Sequence, residues 1–449
     1  MSKITRKSAR KPAGKIHFQH SGKGLTSQAG VIPPMHFLNR IGFDQACQKH
    51  LDFQRNDRAL YSMGDAIFLT VIGLIAGASS LLKVVSVWAD QVLREAGGWR
   101  SIPDDSTLGR IFRQAQLKHV AQLEQVNHNL RQGVWRKALK SGIWLPGTVY
   151  RGWIDVDSTV KTVYGRQEGA EKGYNPTKKG AYSYHPLVAF CSHTKEILQG
   201  WLRSGSAYTS NGIVDFMQQL AAQMPPRMRL LFRGDSGFFA GDLMDWLDRN
   251  GHGYLIKVKL KGLSALLDQQ DWHTIPNRSG WEQCAFNHRC GSWGRERRFV
   301  AVRRKAEAED AGRQPSLLDA PVYDYFCYVT TECLTPWQAH TTYGQRATCE
   351  TWLDEAKNQM GLAHIKSHDF MASSLLFQCA VLAYNTVRWM ALLSGNETLT
   401  RWEIQTIRAF LIRTAGQLVR GGNQFRVKVP DKHLHPMPWS DWLKMSFVS

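Results

Sequence analysis

The sequence predicts an α/β protein, a helical N-terminal region followed by a strand-rich core, and three observations predict it. Residues 35 to 145 carry amphipathic runs opened by cap-forming residues and closed by Gly. From Gly147 the texture changes to short apolar, β-branched runs bounded by turn residues. Two amphipathic segments, 211–223 and 240–250, punctuate those runs, and long helices fill 337 to 393.

The elements follow in order. The first 24 residues hold seven Lys or Arg and no acid, so residues 1–30 are expected to be a basic flexible arm. Such a stretch either lies along phosphates or is merely solvated. "AIFLTVIGLIAGASSLL" (Ala66 to Leu82) is uncharged and has borderline length for a bilayer. Asp65 and Lys83 flank it and Ser79–Ser80 interrupts it, so it reads as a buried helix and a turn, and no second such segment is apparent. "PDDSTLGRIF" opens with Pro and Asp cap signals and continues as amphipathic helix to about residue 142. "TVYRGWIDVDST", "HPLVAFCSH", "EILQGWLRSG", "MRLLFRGDSG" and "GYLIKVKL" read as strands. Three strands, a helix, a strand, a helix and a strand is the order of an RNase H-like domain. Residues 261–322 are polar, with short Trp-bearing strands, and read as an inserted β-rich subdomain. "VYDYFCYVTT" resumes the core, and the chain ends in basic, Pro-containing "RVKVPDKHLHPMPWS".

The chain has 449 residues, enough for two or three domains, and 43% of them are hydrophobic, so a large core is available. Lys and Arg number 57 against 37 Asp and Glu, a formal charge of +20. That excess points to a polyanionic partner, most simply nucleic acid, with an anionic membrane surface as the competitor. The eight cysteines form no CxxC pair, and Cys284 and Cys290 around His288 match no common zinc spacing. Reduced thiols in a cytoplasmic protein are the expectation.

Three groups of residues carry candidate chemistry. "WIDVDSTV" places Asp155 and Asp157 two apart in an apolar run, hence on one face of a strand. A carboxylate there is costly to bury unless it meets a metal or a partner; the competing reading is a solvated edge strand. Asp235 ends the apolar run "LLFRGDSGF", where strand ends open onto a crevice; alternatively it caps the next helix. "YGQRATCETWLDEAK" is the third group. On one continuous helix, Tyr343, Arg346, Glu350 and Lys357 fall on a stripe about 60° wide and roughly 21 Å long. Asp354 lies about 40° from Glu350 but one turn on, and Glu355 about 140° away, where it is expected to be expendable. An exposed salt-bridged face would look similar.

Tyr343-x2-Arg346-x3-Glu350-x6-Lys357 resembles, position for position, the Tyr-Arg-Glu-Lys signature of bacterial insertion-sequence DDE transposases. "DVDSTVKTVYGRQEGAEKGYNPTKKGAYSYHPL" and "GDSGF" are similar to the insertion-sequence family numbered thirteen-eighty, and the likeness covers roughly residues 150 to 395. The resemblance implies an RNase H-like core in which Asp157, Asp235 and Glu350 bind two Mg²⁺ ions, replaceable by Mn²⁺. It also implies a β-rich insertion between the second Asp and the Glu, and 115 residues separate them here. The family's Asp-x-Thr motif, here Asp157-Ser158-Thr159, favours Asp157 over Asp155. Asp155 and Thr159 are then supporting residues.

Tyr343, Arg346 and Lys357 resemble phosphate clamps, and the basic, aromatic loop with Arg166, Lys178 and Lys179 is a further DNA-contact candidate. The implied activity is DNA cleavage followed by joining of the 3′-OH ends to target DNA. The implied partners are element-end and target duplexes, bound by a homodimer without a membrane, at the bacterial nucleoid. The expected domains are 31–146, helical and DNA-binding; 147–260 and 323–395, the two parts of the core; 261–322, the insertion; and 396–449, helical and basic. The rivals are a transposase-derived DNA-binding protein, a nuclease that never joins strands, and a haloacid-dehalogenase-like phosphatase. "DVDSTV" also fits the phosphatase motif, but Asp235 and Asp242 are too widely spaced for it.

Overall fold

A computed structural model describes residues 22–56, 58–143, 151–176, 178–226, 228–305, 323–363, 367–421 and 424–447. Most of the expected N-terminal arm lies outside those residues. Its last part belongs to the body: β1 (Leu25–Thr26) pairs with a C-terminal strand, and Ala29, Gly30 and Val31 are buried. There follow α1 (Ile32–Arg40), α2 (Phe43–His50), α3 (Met63–Ala76), α4 (Leu81–Trp88), α5 (Gln91–Ala96), α6 (Asp105–Arg113) and α7 (Leu117–Lys140).

Ser62 and Asp65 close a capping box at the start of α3, and Gly77, at φ 108°, ends it in the left-handed region that Gly tolerates. α3 and α4 meet at 86°, so the uncharged stretch at 66–82 is a buried helix and a turn. The second apolar segment that the sequence did not reveal is α13 (Phe370–Ser394). It is long and apolar enough to cross a membrane, yet 89% of its most apolar window is buried inside the protein.

The remaining strands are β2 (Arg151–Ser158), β3 (Lys161–Thr162), β4 (Glu171–Lys172), β5 (Tyr182–Tyr184), β6 (Leu187–Cys191), β7 (Ile197–Trp201), β8 (Arg229–Gly234), β9 (Gly253–Lys257), β10 (His273–Thr274), β11 (Trp281–His288), β12 (Arg297–Lys305), β13 (Tyr323–Thr330), β14 (Gly416–Gly421) and β15 (Gln424–Lys428). Helices α8 (Ile213–Ala222), α9 (Gly241–Arg249), α10 (Leu263–Asp268), α11 (Pro336–Gly344) and α12 (Ala347–Asp354) separate them, with α13 after α12.

One nine-stranded sheet runs β10-β11-β12-β13-β9-β8-β2-β6-β7. β2 is parallel to β8 and β8 to β9, while β6 and β7 are antiparallel. The strands expected as a separate insertion instead extend this sheet, because β13 pairs with β9 and carries β12, β11 and β10 outward. A small sheet, β3-β5-β4, fills the excursion between β2 and β6.

The helical N-terminal region is not a body with its own core. α3 and α7 lie along α13, and their buried side chains join those of the sheet in one apolar cluster. Arg131 of α7 fixes this contact by donating to the Ile197 and Leu198 carbonyls of β7, at 3.2 and 2.8 Å. The C-terminal region, expected to be helical, contains the β14–β15 hairpin.

Candidate active site

β2 and β8 lie side by side in parallel, so their C-terminal ends open in the same direction. Asp157 stands at the end of β2, and Asp235 directly follows β8. Along β2 the side chains alternate as expected: Ile154 and Val156 are fully buried in the main core, while Trp153, Asp155 and Asp157 share the other face. Asp235 caps a short turn, its Oδ1 accepting from the Gly237 N–H at 2.9 Å. A Cβ on Gly237 would stand 3.0 Å from both that oxygen and Thr209, so any side chain there would require these neighbours to give by a few tenths of an ångström.

Arg346 joins the strand ends to α12. Its Nη2 lies 3.0 Å from Asp157 Oδ2 and its Nη1 3.6 Å from Glu350 Oε1. Arg346 and Asp157 are largely buried, whereas the Glu350 side chain is 69% exposed. Nε and Nη2 of Arg346 are buried without a well-directed acceptor, so its contact with Asp157 is electrostatic and its donors remain available.

Burial pushes the Asp157 carboxyl up to about 6, against the pull of Arg346; the negative charges of Asp235 and, less, Glu350 add to the rise. For Arg346, burial works against the charge, but Asp157 and neighbours including Tyr343, Cys349 and Asp235 more than offset it, and its pKa is raised. Burial likewise lifts the Tyr343 phenol to about 12, with Arg346 opposing and Asp235, Asp157 and Glu350 reinforcing. Asp157, Asp235, Glu350, Arg346 and Tyr343 therefore form one electrostatic unit.

The expected continuous helix is interrupted. α11 ends at Gly344, and the chain tightens through Gln345 and Arg346, where the Arg346 N–H reaches the Tyr343 carbonyl at 2.8 Å and Cys349 N–H reaches Arg346 at 2.8 Å. Beyond Asp354 the backbone widens into a π-helical turn, with Met360 N–H bonded to the Glu355 carbonyl at 3.0 Å. A uniform 100° step holds across neither break. Tyr343, Arg346 and Glu350 still meet, but Lys357 is half-buried beside Asp354, and burial lowers its pKa. Asp354 is exposed and bonded to Asn358 at 2.5 Å. Glu355 is not expendable: it is buried and paired with Arg388 of α13.

Asp155 shares the face of Asp157 but lies deeper along β2, away from the strand end. It is fully buried and held by Arg233, its register partner on β8, with Nε to Oδ1 at 2.5 Å and Nη2 to Oδ2 at 2.8 Å. Ser192 also donates to it. Arg233 Nη1 then donates to the Thr342 carbonyl at 2.5 Å, one residue before Tyr343. Arg233 thus ties the acid-bearing strands to the Tyr343–Arg346 turn. Sequence reading missed it, although an Arg two residues before Asp235 in an apolar run was a visible signal.

Arg203 was missed as well, with no readable signal. It is buried and donates to the carbonyls of His185 at 3.0 Å and Asn211 at 2.8 Å, holding the loop that brings Thr209 Oγ1 within 3.2 Å of Ser158 Oγ. Thr159 follows β2, its N–H bonded to the Pro186 carbonyl at 3.0 Å. Arg166, Lys178 and Lys179 are exposed on the excursion between β2 and β6, with Lys178 4.8 Å over the Tyr164 ring. No ion pair among the described residues links these three to the carboxylates.

Among the described residues, no three His, Cys, Asp or Glu side chains stand together as a ready metal site. Arg346 lies between Asp157 and Glu350 and supplies the positive charge there. The donor chemistry itself fits a hard divalent ion: carboxylates close enough for two of them to raise the pKa of the third.

No curated protein matches the chain. Among solved structures it is similar to the piggyBac transposase in a cryo-EM synaptic complex with hairpin DNA, at 12% identity and a TM-score of 0.45, covering 87% of this chain and 82% of that one. The family model described as transposase DDE domain group 1 matches residues 9–444. With that match running over nearly the whole sequence, and with carboxylates at the ends of two parallel strands, the chain belongs to the DDE transposases of domain group 1.

Proposed function

We propose that the protein binds the ends of its own insertion sequence, cleaves the DNA there and joins the freed 3′-OH to target DNA. The observation that carries this reading is that Asp157 and Asp235 stand at the C-terminal ends of the parallel strands β2 and β8, with Arg346 between Asp157 and Glu350. The strand order β7-β6-β2-β8-β9, antiparallel on one side of β2 and parallel on the other, supports an RNase H-like core. Tyr343, Arg346, Glu350 and Lys357 at their spacing support assignment to the insertion-sequence family numbered thirteen-eighty.

Asp157, Asp235 and Glu350 would hold two Mg²⁺ ions. Bound there, such ions activate the attacking oxygen and stabilise the leaving one. Arg346 presents buried, unused N–H donors beside the carboxylates, where a phosphate oxygen satisfies them. Burial keeps Tyr343 protonated at neutral pH, so its hydroxyl would be a donor to a bound phosphate. Lys178, Lys179 and Arg166 contact the flanking backbone.

The test is incubation of the full chain with duplexes carrying the DNA that flanks its gene, plus Mg²⁺. Nicks at fixed positions and joined products are expected. Their absence with the unaltered protein, or cleavage that survives in Asp157→Ala or Asp235→Ala, overturns the proposal.

A further inference from the structure

The C-terminal hairpin is a surface the catalytic site does not use. β14 and β15 form a two-stranded antiparallel ribbon, with β1 against the outer side of β14. The register sets Gln417 opposite Lys428, Leu418 opposite Val427, Val419 opposite Arg426 and Arg420 opposite Phe425. Directly opposed residues share a face, so the ribbon has two different sides.

One side is anchored. Leu418, Phe425 and Val427 line an apolar groove of about 500 Å³ with Ile32, Leu443 and Phe447. Arg420 pairs with Glu95 at 2.5 Å. The other side is open: Gln417, Gln424, Arg426 and Lys428 are exposed, and that side bears no acid. Neither Arg426 nor Lys428 has an ion pair or side-chain hydrogen bond among the described residues.

A second, independent observation comes from the opposite end of the chain. The first 24 residues, with seven Lys or Arg and no acid, join the body at this ribbon. Leu418 N–H donates to the Gly24 carbonyl at 2.7 Å, and Leu25 pairs with Gln417. Lys23, exposed and joined to Gln417 through its carbonyl, therefore stands beside the ribbon, although about 390 residues separate them in sequence.

We infer that the open side of the β14–β15 ribbon is a contact for the backbone of double-stranded DNA, separate from the carboxylate site. The inference rests on the reading that this chain handles DNA. Arg426 and Lys428 stand two residues apart on one strand and one face, a spacing of about 7 Å that suits neighbouring phosphates of a single DNA strand. An anionic membrane fits less well, because the open side offers only Val419 as an apolar group to bury in lipid.

The experiment measures binding without catalysis. Full-length protein in EDTA is titrated against a fluorescent duplex from its gene flanks, a scrambled duplex, and phosphatidylserine vesicles, across a salt series. The variant is Arg426→Gln with Lys428→Gln, which keeps polar, strand-compatible side chains and removes no internal contact. Arg426→Lys with Lys428→Arg is the charge-conserving control. The double neutral variant is expected to bind both duplexes about tenfold or more weakly, and to flatten the slope of log K against log salt by about 1.8, near 0.9 per lost phosphate. The control retains affinity and slope.

An unchanged affinity and slope, with the unaltered protein binding well, overturns the inference alone. A loss seen on vesicles but not on DNA overturns it in favour of a membrane. A loss confined to the gene-flank duplex overturns the backbone assignment. If the unaltered protein binds neither duplex, the proposed function falls and takes this inference with it.

Discussion

Arg233→Met removes the guanidinium that joins β2, β8 and the Tyr343–Arg346 turn, while keeping an apolar stem of similar length. It leaves the Asp155 carboxylate fully buried, with Ser192 as its remaining side-chain donor, and strips the Thr342 carbonyl of its bond. Breaking a buried pair from one side costs about 3–5 kcal/mol, and the lost carbonyl bond adds about 1 kcal/mol. Asp155→Leu strands the Arg233 charge and costs a similar ~3–5 kcal/mol. The double variant leaves no buried charge; only the Ser192 hydroxyl and Thr342 carbonyl go unpaired, a loss of about 2–3 kcal/mol.

Urea unfolding followed by tryptophan fluorescence gives the four stabilities of the cycle. A coupling of at least about 2 kcal/mol is expected, with the double variant more stable than either single sum allows. Additive losses, or single losses below about 1 kcal/mol, refute the reasoning. Because Arg233 acts through Thr342, Arg233→Lys is further expected to lower the cleavage rate more than DNA affinity.

Two neighbouring glutamates separate chemistry from architecture. Glu350→Gln is expected to abolish cleavage and joining with an unchanged melting temperature, since the side chain is 69% exposed. Glu355→Gln is expected to destabilise the fold by about 3 kcal/mol through loss of the buried Arg388 pair; a melting curve indistinguishable from the parent refutes this. Asp157 also leaves a pH signature in metal-free protein. Its folded pKa, about 6, lies above the ordinary aspartate value of 3.8, so the folded state holds that proton more tightly. The stability it contributes is fully present below about pH 4 and is lost as pH rises through 6, on the order of 3 kcal/mol. Asp157→Asn removes that dependence, and an identical pH profile in the variant contradicts the assignment.

The acid-bearing strands were legible because their signal is local. Alternation in "WIDVDSTV" and, for Asp235, the Gly that follows it placed both acids near strand ends without knowledge of pairing. The Asp155–Arg233 pair was not legible, because 78 residues separate its members and only the parallel register of β2 and β8 brings them together. The 343–357 segment was half legible. Periodicity detects a helix, but a tightened turn at Arg346 and a π-helical turn at Glu355 alter the angular step without altering the residue types. That is why the nearness of Arg346 to Glu350 followed from periodicity, and the surroundings of Lys357 and Glu355 did not. The β14–β15 hairpin escaped notice because its strands alternate apolar residues with basic and polar ones in a stretch that resembles coil.

The burial of α13 on all sides has a consequence for how the chain is made. α3 finishes at Ala76, but the helix it must lie against begins at Phe370, roughly 300 residues later. At about 5–20 residues per second, the ribosome leaves the apolar surface of α3 without its partner for about 15–60 s. During that interval the N-terminal helices lack the α13 face that completes their core. A chain stopped before Phe370 never completes that core, and a truncated product is expected to be recovered as aggregate in a solubility assay.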